Sequence, residues 1–111
     1  MISERLAQLE STLKEHGDSM PEATRRELVD LVAGLRAEVT SLLKTHGENA
    51  QRIAGSAEAA VHASVQRDEH PEKAAEAVRG LTASVREFEA THPRLVEIVD
   101  QLALTLSNLG I

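Results

Sequence analysis

Two apolar seams, each advancing by alternating steps of three and four residues, run through most of this 111-residue chain. The first passes through Leu28, Val32, Leu35, Val39, Leu42, His46, Asn49, Ile53, Ser56 and Ala60. The second passes through Val78, Leu81, Val85, Phe88, His92, Leu95, Val99, Leu102, Leu106 and Leu109. Such spacing is the heptad pattern of helices that pack along one another. Strand-like alternation is missing throughout, so the fold class is all-α. Between the seams stands Asp68-Glu69-His70-Pro71. Proline suits a first helical turn and biases the residue before it away from helix. Paired antiparallel, the seams set Leu28 against Leu109, Val39 against Val99, His46 against His92 and Ala60 against Val78. Every pair is centred near residue 69, the break that turn chemistry locates independently. The expectation is a long antiparallel helical hairpin of coiled-coil type.

A further short helix precedes the hairpin. Ile2, Leu6, Leu9 and Leu13 keep helical spacing after Ser3, a residue suited to an N-cap, and His16-Gly17 reads as a stop. Ser19 with Glu22 has the spacing of a capping box. Because the seam keeps its phase across Gly47, the outgoing helix is expected to be continuous over residues 20–67, although His46 before a glycine also fits a helix end. On the return, Pro93 removes a backbone donor, so either the helix kinks at Thr91-His92-Pro93 or Thr91 caps a new one. Such an outgoing helix would be roughly 70 Å long. The expected architecture is one helical domain over 1–111: a three-helix head of residues 3–46 and 92–109, and a two-helix stalk of 47–90. The stalk's outgoing side is built from Ala54, Gly55, Ser56, Ala57, Ala59, Ala60 and Ala63. Small side chains let helices approach closely but bury little.

Composition narrows the function. Twelve Lys and Arg against eighteen Asp and Glu leave a formal charge of -6, the wrong sign for neutralising phosphates. No apolar stretch is long enough for a bilayer, and no signal peptide is visible at the N-terminus, so the expected compartment is the cytoplasm. With no cysteine there is no disulfide frame and no thiolate chemistry. Phe88 alone represents the aromatics, which disfavours base-stacking platforms and aromatic-lined pockets.

The chain's ending carries a resemblance. Phe88-Glu89-Ala90-Thr91-His92-Pro93-Arg94-Leu95, followed by Leu106-Ser107-Asn108-Leu109-Gly110-Ile111, resembles a family of short prokaryotic proteins labelled domain of unknown function DUF4404. Its members look like F-E-x-S/T-H-P-x-L followed by a helix ending L-x-x-x-G-I. The resemblance implies a bacterial, all-helical protein with no known activity and no catalytic residues to carry over.

The residues suggest few sites. Five histidines are present, without an H-E-x-x-H or an i, i+4 pair. Antiparallel pairing makes His46 and His92 face one another, flanked by Asn49 and Glu89, as metal candidates or as a polar layer that sets register. The polar layer is the preferred reading, so no metal or cofactor is expected. Asp68, Glu69 and Glu72 read as a solvated turn, and no phosphate loop or nucleophile elbow occurs. Leu31, Leu43, Val96, Ile98 and Leu104 lie off the seams and are candidate interface residues. The expectation is a non-enzymatic helical interaction protein, a homo-oligomer or the partner of another protein. The alternatives are a membrane-surface protein using residues 95–111 and a metal protein at the histidine layer.

Overall fold

The protein is described by a computed structural model covering residues 2–15, 20–66 and 69–109, the side chain of Ser3 excepted. The expected His16-Gly17 stop, the Ser19 cap, Asp68 of the turn and the closing Gly110-Ile111 lie outside the described residues. Within them the fold is all-α. Its helices are α1 (Ile2–Glu15), α2 (Glu22–Leu43), α3 (Gly47–Val65), α4 (Pro71–Val85) and α5 (Pro93–Asn108). A 3-10 turn, Arg86–Phe88, follows α4.

The outgoing helix is not continuous. It stops at Leu43 and restarts at Gly47. The molecule accordingly measures 38 × 24 × 20 Å, far short of a 70 Å hairpin. Bending the chain lets α3 bury a second face. Ala54 and Val61 lie off the expected seam, yet both are fully buried. They share a face with Glu58, which pairs with Arg5 of α1 at 2.5 Å. A straight helix would carry that face away from the residues that cover it, at a cost proportional to the apolar area exposed.

Residues 47–90 are therefore not a free stalk. The helices close a circuit of neighbours: α1 lies on α2, α2 on α5, α5 on α4, α4 on α3, and α3 on α1. Side chains mark the contacts. Glu10 of α1 meets Arg36 of α2 at 3.0 Å. Glu27 accepts hydrogen bonds from Gln101 and Thr105, and Glu38 meets Arg94, so α2 and α5 run antiparallel. Inside the circuit lie Leu6 and Leu13 of α1, the α2 seam from Leu28 to Leu42, Ile53, Leu81, Val85, and Leu95 to Leu106 of α5. Each fully buried Leu or Val contributes about 1.5–3 kcal/mol of transfer free energy.

Proline places two of the helix starts. Pro71 and Pro93 occupy the first turns of α4 and α5, where a missing N–H costs nothing. The Thr91-His92-Pro93 segment therefore separates two helices and does not merely kink one. Thr91 is not the cap; His92 holds that position.

Candidate functional site

Two features gather the candidate residues: the corner where His46 meets His92, and a groove between α2 and α5. The corner is built alike on both sides. His46 precedes α3 with φ -137° and ψ 64°, and His92 precedes α5 with φ -135° and ψ 64°. Each histidine N–H reaches back four residues, to the Leu42 and Phe88 carbonyls respectively, both at 2.7 Å. Each imidazole Nδ1 is hydrogen-bonded to the Oγ1 of the preceding threonine, Thr45 or Thr91, at 2.9 Å. The Thr45 hydroxyl also donates to the Leu42 carbonyl at 3.4 Å.

The sequence expectation that these histidines meet is realised. Their ring centroids are 6.0 Å apart with the rings perpendicular. Phe88 completes the cluster, its ring edge-on to His46 at 5.3 Å and to His92 at 5.4 Å. Perpendicular contacts of this kind suit the quadrupoles of aromatic rings. The layer is not sealed from water, since His46 is exposed and His92 half-buried.

The expected flanking carboxylate is not there. Glu89 turns outward and binds Arg86 at 2.9 Å. Glu87 accepts a hydrogen bond from Asn49 at 2.8 Å instead. Glu87 lies within the short 3-10 turn Arg86–Phe88 and Glu89 directly follows it, and the tighter winding sets their directions. Among the described residues, no group of three His, Asp or Glu side chains is placed to hold a metal ion.

The groove lies on the outer face of α2 and α5. Leu31, Gly34 and Ile98 form its floor, and Arg26, Glu27, Asp30 and Arg94 rise around it. Glu97 and Gln101 extend the same depression along α5. A Cβ on Gly34 would stand 3.4 Å from Ile98 Cδ1, at the near edge of ordinary van der Waals contact, so α2 and α5 pack closely here. An aliphatic floor with a rim of both charges suits contact with another surface.

The five off-seam candidates divide among three environments. Val96 is buried within its own chain, on the face of α5 where Asp100 meets Arg86 of the turn after α4. Its removal from the interface set follows from α5 being covered on two sides. Leu31 and Ile98 are partly buried in the groove. Leu104 and Leu43 are the large aliphatics left open, 55% and 41% exposed. Gly34, which lines the groove, is not singled out by sequence. Its position one turn beyond Leu31 is the signal that could have found it.

The family model for the domain of unknown function DUF4404 matches residues 35–111, and the chain belongs to that family. The matched span includes the histidine corner and all of α5. Comparisons with curated proteins and with solved structures find no match. Among the described residues, no helix is long and apolar enough to cross a membrane.

Proposed function

We propose that this DUF4404 protein is a non-enzymatic helical interaction protein that associates with copies of itself in the cytoplasm. The observation that carries the reading is the α2–α5 face: an aliphatic groove with Leu104 of the same helix 55% exposed. A two-fold contact brings one patch against an identical patch, so it must be complementary to itself. The charges around the groove suit that condition. Arg26 and Arg94 stand beside Glu27, Asp30 and Glu97, so an antiparallel copy can set opposite charges against each other.

Sedimentation equilibrium at tens of micromolar tests the reading. The expected mass is that of two or more chains, and a single-chain mass overturns it. Leu104→Asp leaves the folded core untouched because the residue is exposed, and it should shift the equilibrium toward single chains by about tenfold or more, as an uncompensated charge in an apolar contact requires.

A further inference from the structure

Three corners of this chain share one backbone design, and only one of them lacks a proline. His46, His70 and His92 each precede a helix, with φ and ψ of -137° and 64°, -142° and 70°, and -135° and 64°. At all three, the histidine N–H bonds the carbonyl four residues before it, and its own carbonyl accepts from the residue four after it. After His70 comes Pro71 and after His92 comes Pro93, but after His46 comes Gly47. Proline biases the preceding residue away from the helical region and cannot donate to a continued ladder. Two corners are therefore locked. The third is not.

We infer that His46 is a hinge at which α2 and α3 can join into one helix, releasing the α1–α2 arm for exchange with a second copy of the chain. The change required is small. Lys44 already has helical φ and ψ, -67° and -29°, and α3 is helical from Gly47. No described residue has a positive φ that would fix the corner by chirality. The α3 N-terminus has no side-chain cap, and rotating His46 into the helical region brings the first amides of α3 onto the carbonyls of residues 43–45. The seam keeps its phase through the corner, from Val39 and Leu42 to Asn49 and Ile53, so no buried residue has to change face.

Exchange conserves the contacts that opening breaks. The Arg5–Glu58 and Glu38–Arg94 pairs, and the α2–α5 packing, re-form between chains as they stand within one. Leu43, 41% exposed at this corner, gains cover where two straightened helices pass each other. The inference rests on the self-association proposed above and adds a contact separate from the outer groove.

The chain has no cysteine, so introduced thiols report unambiguously. The full-length Arg5→Cys/Glu58→Cys variant is treated with a short bis-maleimide and resolved on a denaturing gel, with its mass measured in parallel by sedimentation. A second pair, Glu38→Cys/Arg94→Cys, reports on α2 and α5 in case the first perturbs folding. Exchange predicts covalent dimers with either pair. A Gly47→Pro change rebuilds the corner as the other two are built, and it should lower the constant for forming the exchanged dimer about a hundredfold, as a proline inside a helix would. Gly47→Ala, whose Cβ would meet Leu43 Cδ1 at an ordinary 4.0 Å, should raise it about fivefold. Cross-links confined within chains, in a protein that sediments as a dimer, overturn the hinge and leave self-association standing. Single chains by both measures overturn both.

Discussion

Helices α2 and α3 follow each other directly, yet their buried surfaces are built on opposite scales. α2 buries Leu28, Val32, Leu35, Val39 and Leu42, a single stripe of large side chains. α3 buries Ala50, Ile53, Ala54, Ala57, Ala60, Val61 and Ser64, mostly small and spread over two faces. The difference shows two ways to fill a core. Large residues reach across one interface, whereas small ones let two neighbours, here α4 and α1, approach the same helix. The second way gains area by geometry and forgoes about 0.8 kcal/mol for each methylene it lacks.

Shortening a large residue of α2 should show the first strategy at its most sensitive. Leu35→Ala removes a fully buried side chain facing a filled core and should destabilise by about 2–5 kcal/mol, measured by urea unfolding. The α3 side should fail in the opposite direction. Ala57→Leu adds volume where helices already approach closely and should cost about 1–3 kcal/mol in the same assay. If Ala57→Leu stabilises the protein, the α3 interfaces are looser than the geometry says.

Hydrogen exchange compares the regions without mutation. Amides of residues 54–65 and 74–80 should exchange about tenfold faster than those of 28–42 and 95–106, because fewer buried methylenes oppose local opening there. The α1 cover on α3 narrows this gap, so uniform protection would show that geometry fully offsets side-chain size. The smallest effect should come from Ser64. Its hydroxyl is buried without a hydrogen-bond partner, so Ser64→Ala should raise stability by about 1 kcal/mol in thermal or urea unfolding.

Much of this was legible along the chain. Periodicity located the helical segments because alternating steps of three and four suit only a helix packed on one side. Pro71 and Pro93 marked helix starts through their own covalent geometry, which no neighbour can override. The His46–His92 contact followed from pairing the seams, and so did the surplus of off-seam aliphatics. The errors share a cause. Gly47 is compatible with both a continued helix and a corner, and heptad phase does not distinguish them. Glu89 lies beside the facing histidines in sequence, but pairing the seams does not register the ion pair with Arg86 that takes its carboxylate.

Helix identity, the helix starts at Pro71 and Pro93 and the sign of the net charge were thus decided locally, by side-chain spacing, proline chemistry and composition. The bend at residues 44–46, the cover of α1 on α3, the burial of Val96 and the groove around Gly34 were decided only when the helices came together. Each depends on how much apolar surface one arrangement buries relative to another, a sum over partners distant in sequence. A seam records which face of a helix is apolar. It does not record how many neighbours that helix must serve, and in this protein that number separates a long hairpin from a closed circuit of helices.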